Sequence, residues 1–307
     1  MANIYINVDT GNDSTGDGSL STPYETISKA FSVASTDDVI IGAASATVYP
    51  WSTDVNLGSL GITDITLQGD TYVGDPTTNN FIIDAQTPYP EFIVKENFTI
   101  KDLVIQNHLA NTSYRRSVIN VVNTNSAVDA VVTVQRCRIQ DCTVYTATSS
   151  RGGFIGQGGT QSSAPPFNSC TINLEQVELC NVKGDGSSYA GFISLSGTVY
   201  ANATNCSYYA DATGNSLRLF SRVGNTAGNI TAATHRNWNI KHLHTNSMHF
   251  GDAASISFTG GVADLTNENI SLPSGYTSVI DADPMYVDAS NYILELLPDS
   301  PAHNAGV

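Results

Sequence analysis

The sequence predicts an all-β fold, a single-domain right-handed parallel β-helix in which short strands stack coil upon coil, with a short N-terminal capping helix. Three observations predict it: a strand-like pattern that recurs along the chain, a composition suited to strands and turns, and a helix-like segment ahead of the first repeat. Only 13% of the residues are charged, against about 25% in an average globular chain. Ser, Thr, Asn and Gly are abundant instead, as strands and tight turns require.

The recurring pattern is clearest in three segments that align without gaps, residues 98–107, 132–141 and 172–181. Apolar residues recur at matching positions, and their period-two alternation indicates strands. The spacing between copies varies, which indicates coils that carry loops of different lengths. Like residues of successive coils then form inward columns: Ile100, Val134 and Leu174; Leu103, Cys137 and Val177; Ile105, Ile139 and Leu179.

Further copies extend this array over most of the chain. Residues 238–243 align with residues 98–103, and a weaker copy ends at Cys206. Strand-like runs at 64–70 and 255–260 lengthen the array at both ends. Because no boundary interrupts it, the sequence predicts one domain. Its parts are the N-terminal strand, loop and capping helix (1–45), the coils (46–275) and a closing coil (276–307).

Each of the three best copies ends in Asn or Asp, at Asn107, Asp141 and Asn181. We predict that these residues occupy tight bends, where the short polar side chain bonds to the backbone. The alternative is an outward row of amides that reads a ligand. Their fixed place after each strand favours the bend.

A capping helix is predicted near the N-terminus, where it would cover the exposed end of the first coil. Thr22, Pro23 and Glu25 have the spacing of an N-cap, a first-turn proline and a capping-box glutamate. Apolar residues follow at helical spacing, namely Ile27, Ala30, Phe31 and Ala34.

The same alignment places outward residues in columns that pair opposite charges: Lys101, Gln135 and Glu175; Asp102, Arg136 and Gln176; Val104, Arg138 and Glu178. We predict ion pairs between neighbouring coils on a solvated wall. A lyase-like site that uses Arg136 or Arg138 is the alternative. No pair of acids for glycoside hydrolysis can be located from the sequence.

The formal charge of −15 disfavours binding to nucleic acid and to anionic membranes. No run approaches the roughly 20 apolar residues of a membrane span, and residues 1–5 do not have the pattern of a signal peptide. We therefore expect no nucleic-acid partner, no membrane insertion and no secretion signal. The five cysteines have no metal-like spacing, so we expect reduced, buried residues.

Aromatic residues of the late coils are candidates for a carbohydrate-binding surface, because aromatic rings on a polar wall can stack on sugars. The candidates are Tyr200, Tyr208, Tyr209 and Trp238. Packing in the core or in an interface is the alternative.

Metal binding is considered at two places, and no cofactor is expected. His242 and His244 alternate as on one strand face, with His249 following, but surface histidines are common. The N-terminal Asp9, Asn12, Asp13 and Asp17 offer oxygen ligands, although their spacing is not that of an EF-hand. A polar structural loop is the favoured interpretation of that segment.

Both ends of the chain resemble the pectate-lyase-like right-handed β-helix superfamily. The motifs lie at 4–13, 16–18, 22–27 and 38–42 in the opening, and at 283–288, 291–294 and 299–306 in the close. The resemblance covers essentially the whole chain and implies the β-helix fold. The superfamily includes pectate lyases, polysaccharide epimerases, phage tailspikes and non-catalytic virion proteins, so the fold does not select an activity. No run here matches the lyases' acidic calcium site and basic catalytic residue.

The resemblance therefore favours a non-enzymatic structural or decoration protein of a bacteriophage virion, on the head or tail, with carbohydrate adhesion through its lateral face. Other virion proteins or further copies of the chain would be its partners, together with host surface polysaccharide. We expect it to be assembled in the host cytoplasm and located in the virion. The alternatives are a tailspike-type polysaccharide lyase or glycoside hydrolase, and an adhesin exported without a signal peptide. Acids that converge in a lateral groove would favour the enzyme.

Overall fold

The computed structural model describes residues 1–71, 80–86, 90–109, 117–122, 129–144, 153–156, 169–184, 191–195, 198–210, 217–220, 230–242, 248–249, 256–263, 270–271 and 279–304. In these ranges the protein is mostly β-structure built from parallel sheets. The helices are short: α1 (Ile27–Val33), α2 (Leu57–Leu60) and two 3-10 turns, Ala289–Asn291 and Pro301–Asn304. None of the described helices has the length and apolar character to cross a membrane.

Most strands, numbered along the chain, belong to three rows of parallel strands. Row one contains β1 (Asn3–Ile6), β2 (Asp38–Gly42), β5 (Asp64–Gly69), β8 (Asn97–Lys101), β11 (Ala130–Gln135), β15 (Cys170–Glu175), β19 (Val199–Thr204), the start of β22 (Ile230–His242) and β24 (Ile256–Ala263). Row two contains β3 (Tyr49–Trp51), β6 (Ile82–Ala85), β9 (Val104–Gln106), β12 (Arg138–Gln140), β16 (Glu178–Cys180), β20 (Ser207–Ala210) and the end of β22, and β26 (Ile280–Asp281) follows on β24. Row three contains β4 (Val55–Asn56), β7 (Phe92–Val94), β10 (Ile119–Val121), β14 (Ile155–Gly156), β18 (Gly191–Ser194), β21 (Leu217–Phe220), β23 (Met248–His249) and β25 (Ile270–Ser271).

The chain visits the rows in turn. Rows one and two join at β22, which pairs with β19 at its start and with β20 at its end. Together they form one sheet of 16 described strands, and row three forms a separate 8-stranded sheet. A further parallel pair, β13 (Thr143–Val144) with β17 (Lys183–Gly184), follows row two.

The strand register confirms the inward columns predicted from the repeats. Val134 pairs with Ile100 on one side and with Leu174 on the other. Ile139 lies in the same way between Ile105 and Leu179. These side chains are buried and share one hydrophobic cluster with inward residues of row three. There the rings of Phe154 and Phe192 stack with centroids 4.7 Å apart, so like residues of neighbouring strands pack face to face.

The bend predicted after row two is confirmed at Asn107, Asp141 and Asn181, which have φ values of 61°, 52° and 52°. A second series of left-handed residues turns the chain between row one and row two. Its members are Asp102, Arg136, Gln176 and Asn205, with φ between 50° and 55°. The sequence does not reveal this second bend, because Arg and Gln rarely adopt positive φ.

The predicted alignment of residues 238–243 with residues 98–103 is wrong in register. In the structure β22 places Ala233, not Trp238, in the column of Ala201 and Ile172, which continues to Phe98. Trp238 lies further along β22, directly before Asn239, which pairs with Ser207 of row two. It is completely buried. A large apolar residue inside the long strand β22 therefore matched the repeat in the wrong register.

The N-terminal helix exists, and its predicted apolar residues Ile27, Ala30 and Phe31 are buried. It begins later than predicted, because Thr26 and not Thr22 is the N-cap, with its side chain accepting from the Lys29 N–H. Tyr24 is still extended, and it exchanges backbone hydrogen bonds with Tyr5 and Asn7. Pairing with β1 thus delays the helix. Asp13 then holds Thr26 in place, since its carboxylate accepts the Thr26 hydroxyl at 2.6 Å.

The C-terminal hairpin is formed by β27 (Tyr286–Asp288) and β28 (Ile293–Leu296), which pair antiparallel. It packs outside the main core, where Tyr286 and Leu294 form a second cluster with Cys180 and Tyr209. The Tyr286 hydroxyl donates to the Asn239 carbonyl oxygen at 2.6 Å. The closing segment of the sequence therefore lies against the outer side of row two.

Candidate functional site

The outer wall of row two carries one column whose chemistry changes along the array. Asp84, Gln106, Gln140, Cys180 and Tyr209 are register partners on successive strands. They alternate with the inward column of Ile105 and Ile139, so they face away from the main core. The first three are polar, whereas the last two are buried beneath the C-terminal hairpin.

The polar part of this column is a chain of side-chain hydrogen bonds. Gln140 donates to Gln106 at 2.9 Å, and Gln106 donates to Asp84 at 2.9 Å. Asp84 also accepts from the amides of Gln86 and Asn107. The carboxylate is therefore surrounded by amide donors, and the bonds from Gln106 and Asn107 connect neighbouring strands of row two.

Two arginines next to the row-one bend form the predicted ion pairs between coils. Arg136 donates two hydrogen bonds to Asp102 of the preceding repeat, from Nε to Oδ1 at 2.6 Å and from Nη2 to Oδ2 at 2.7 Å. Arg138 contacts Glu178 of the following coil, with Nε–Oε2 at 2.7 Å. Gln135 donates to Glu175 at 2.8 Å. The register and the pairing predicted for these columns are confirmed. The expected solvation is wrong for the third column, where Val104 and Arg138 are buried.

Glu178 has the most unusual carboxyl environment on this wall. Burial raises its pKa above the ordinary 4.5, Arg138 opposes that shift, and the charge of Glu295 on β28 adds to it. The side chain of Arg138 is only 6% exposed and that of Glu178 is 24% exposed. A partly buried ion pair thus lies next to the C-terminal hairpin.

A hydrogen-bonded trio fixes the hairpin to the bend after row two. The Tyr292 hydroxyl donates to Asp141 Oδ1 at 2.6 Å and accepts from Asn181 Nδ2 at 2.6 Å. Burial and the hydrogen bond to Asp141 raise the pKa of Tyr292. Two of the predicted bend residues therefore also hold the hairpin.

The outer face of row one presents a straight column of short polar side chains. Its members, one per strand, are Thr66, Thr99, Thr133, Asn173 and Asn202. Asn202 Nδ2 donates to Asn173 Oδ1 at 3.1 Å. This ladder of hydroxyls and amides carries no charge, although the chain has a net charge of −15. The aligned repeats contain several of these residues, but the sequence analysis did not predict the column as a candidate site.

The four aromatic candidates have different environments. Tyr208, Tyr209 and Trp238 are buried, with at most 4% exposure, whereas Tyr200 is 42% exposed. Tyr208 and Trp238 belong to the main core, and Tyr209 packs under the hairpin. A buried ring cannot stack on a sugar, so in this structure the core-packing alternative describes these three. Tyr200 remains on the outer face of row one, two residues from Asn202.

The predicted metal candidates are not brought into a described site. His242 ends β22 and His249 ends β23, but their side chains, like all of His244, lie outside the described residues. No group of three His, Cys, Asp or Glu side chains in the described ranges could hold a metal ion.

The N-terminal loop has the hydrogen bonds of the favoured polar structural loop. Asn12 accepts from the backbone of Ser14 and Thr15, and Asp17 accepts from the Ser19 N–H and the Thr22 hydroxyl. The latter two bonds lower the pKa of Asp17 to about 2.

The five cysteines are free and buried, as predicted. Burial raises the pKa of Cys137, Cys142, Cys170 and Cys206 to about 12. Thiols in this state are poor nucleophiles.

Comparisons with protein-family models, with curated proteins and with solved structures find no match to this chain.

Proposed function

We propose that the chain is a right-handed parallel β-helix of the pectate-lyase-like kind and that it acts as a non-enzymatic structural or decoration protein on the outside of a bacteriophage virion. The three rows of parallel strands support a coil that passes from row one to row two to row three. Right-handed crossovers are the rule for parallel strands, and the predicted inward columns are in register. The resemblance of both chain ends supports the superfamily.

The observation that carries the structural role is the use of carboxylates as ties between coils. Asp102 binds Arg136, Glu178 binds Arg138, and Asp84 binds amides of the next coil. A catalytic acid requires access to its substrate. Side chains that bond neighbouring coils instead strengthen the array along its length, as a particle component needs.

One observation favours the alternative of a polysaccharide-degrading enzyme. Burial raises the pKa of the Glu178 carboxyl, and the nearby carboxyl of Glu295 raises it further. A carboxyl of raised pKa near a second carboxyl is the arrangement of a general acid and its partner in glycosidases. Against this alternative, the Glu178 carboxyl is already paired with Arg138, whose Nε donates to Oε2 at 2.7 Å.

The first test is depolymerisation. Purified full chain is incubated with a panel of acidic and neutral polysaccharides, and reducing ends and unsaturated-product absorbance are measured against a boiled control. We expect no product. Product that disappears in Glu178→Gln would overturn the non-enzymatic proposal and establish the alternative.

The second test addresses location. Antibody raised against the chain is applied to phage particles purified from lysates of cells that express the gene in its native genomic context. We expect labelling of intact particles by electron microscopy. Antigen found only in the particle-free supernatant would contradict a virion component and would favour a separately released adhesin.

A further inference from the structure

We propose that the outer face of row one binds neutral, extended polysaccharides, with the glycan lying across strands β5 to β19 along the Thr and Asn ladder. The inference rests on the adhesive part of the proposed function, and it names the face and the class of sugar. Row two is a poorer candidate, because its outer side chains bond to one another or lie under the C-terminal hairpin.

The ladder is long enough for an oligosaccharide. Its five members lie on adjacent strands, and neighbouring strands are about 4.8 Å apart, so the column extends about 19 Å. Hydroxyls and side-chain amides both donate and accept hydrogen bonds. A polyhydroxylated chain can therefore find a partner at each step.

The hydroxyls are available and already ordered. Thr66, Thr99 and Thr133 are half-buried, and their hydroxyls make no hydrogen bond to another described residue. Threonine in a strand has a restricted χ1 angle. Binding would thus fix little that is not fixed in the free protein, which lowers the entropy cost of association.

Tyr200 provides an apolar surface at the end of the ladder. Its ring is 42% exposed, and it pairs in register with Thr171 on the same face. A sugar presents an apolar ring face as well as hydroxyls, and an accessible aromatic ring can stack on it. The arrangement joins one stacking contact to a row of hydrogen bonds, as ligand sites commonly do.

Charge selects neutral glycans over acidic ones. The central column contains no ionisable residue, and the flanking positions include Asp64 and Glu175 opposed by Lys101. Glu175 already accepts from Gln135. The chain as a whole carries −15 and would repel a polyanion, most strongly at low salt.

The experiment is affinity electrophoresis of the full chain in gels that contain a soluble neutral β-glucan, a neutral galactomannan or polygalacturonate. We expect retardation by at least one neutral polymer and none by polygalacturonate. The double variant Thr99→Val/Thr133→Val keeps the β-branched shape and removes two hydroxyls. It should bind the neutral polymer about thirtyfold more weakly, since two lost hydrogen bonds of about 1 kcal/mol each amount to about 2 kcal/mol. Tyr200→Ala should weaken binding similarly.

The matched control is Thr15→Val, the same replacement on an exposed loop, which should bind as the wild type does. Circular dichroism and the melting temperature show that each variant is folded. Unchanged binding of the double variant and of Tyr200→Ala would overturn the assignment to row one while leaving adhesion through another face. Retardation of the wild type by none of the neutral polymers would overturn the inference itself, and depolymerisation and particle labelling test the proposed function independently of either result.

Discussion

The outer wall of row two has two parts that differ in how they are covered. The earlier part, Asp84 to Gln140, faces outward with an amide chain that ties its own coils together. The later part, Cys180 and Tyr209, is apolar and lies under Tyr286 and Leu294 of the C-terminal hairpin. The same backbone row thus supports a self-sufficient polar wall and a docking surface for the end of its own chain.

The difference shows that side-chain chemistry in one column decides which part of a regular wall remains open. Gln106 and Gln140 can complete each other's hydrogen bonds, so they need no cover. Without the hairpin, Cys180 and Tyr209 would present apolar surface to water. The hairpin buries this surface, which is favourable. Arg138 and Glu178 lie at the boundary, which makes the two parts comparable by single substitutions.

The largest effect is expected from the hairpin contact. Tyr286→Ala removes a ring that is 6% exposed and the hydroxyl bond to Asn239, so the free energy of unfolding should fall by about 3 kcal/mol. Urea unfolding followed by circular dichroism measures it. Val287→Ala, at a side chain that is 46% exposed, is the control and should change stability by less than about 0.5 kcal/mol. Equal effects would show that the hairpin is not packed on the wall.

The two arginines should differ although they are two residues apart. Arg138→Ala leaves the partly buried Glu178 without its partner and should cost about 2 kcal/mol. Arg136→Ala removes a more exposed pair, with the arginine side chain 29% exposed, and should cost about 1 kcal/mol or less. Unfolding at low and high salt separates them further, because screening acts mainly on the exposed pair. A larger cost for Arg136→Ala would contradict the boundary described for this wall.

A smaller effect is expected at the hydroxyl that joins the hairpin to the bend. Tyr292→Phe keeps the ring but leaves Asp141 and Asn181 without the bonds at 2.6 Å, and it should lower stability by about 1 kcal/mol. Limited proteolysis should then cleave near the hairpin before the coils. Protection identical to that of the wild type would count against the trio as an anchor.

The smallest effect is a change in the pH dependence of stability. Above the ordinary pKa of 4.5, the unfolded chain releases the Glu178 proton while the folded chain still holds it. Stability is therefore full below that pH and falls as the pH rises through the higher folded pKa. Glu178→Gln should abolish this fall in urea unfolding measured between about pH 3 and pH 8.

Asp17 serves as the opposite control for that experiment. Its pKa is lowered to about 2 by the Thr22 hydroxyl and the Ser19 N–H. Its contribution is thus present above the ordinary 3.8 and lost as the pH falls towards 2. Asp17→Asn should change only this acidic limb. A slope above pH 4.5 that persists in Glu178→Gln would show that another group causes it.

The repeats predicted the regular part of the molecule well, because parallel pairing places like residues of successive strands next to each other. The register of Val134 and the pair of Arg138 with Glu178 follow from alignment alone. Contacts between segments that are distant in the sequence cannot be predicted from this alignment. The helix start depends on Asp13, which reaches Thr26 from a loop, and the burial of Tyr209 depends on a hairpin from the end of the chain. Trp238 misled the alignment, because size and hydrophobicity do not by themselves define the register.

The bend between row one and row two constrains how this architecture can change length. Two residues separate Lys101 from Val104, and the same number separates Gln135 from Arg138 and Glu175 from Glu178. The path from row two to row three varies instead, running from Gln106 to Ile119 in one coil and from Cys180 to Gly191 in another. The two-residue bend between row one and row two is confined to the later repeats, because at the same corner of the first repeats six residues separate Gly42 from Tyr49 and twelve separate Gly69 from Ile82. In the later repeats an insertion at this bend would displace the paired side chains of two walls. In these later repeats, evolution and protein engineering can thus add new segments between row two and row three while the two-residue bend keeps the strands aligned.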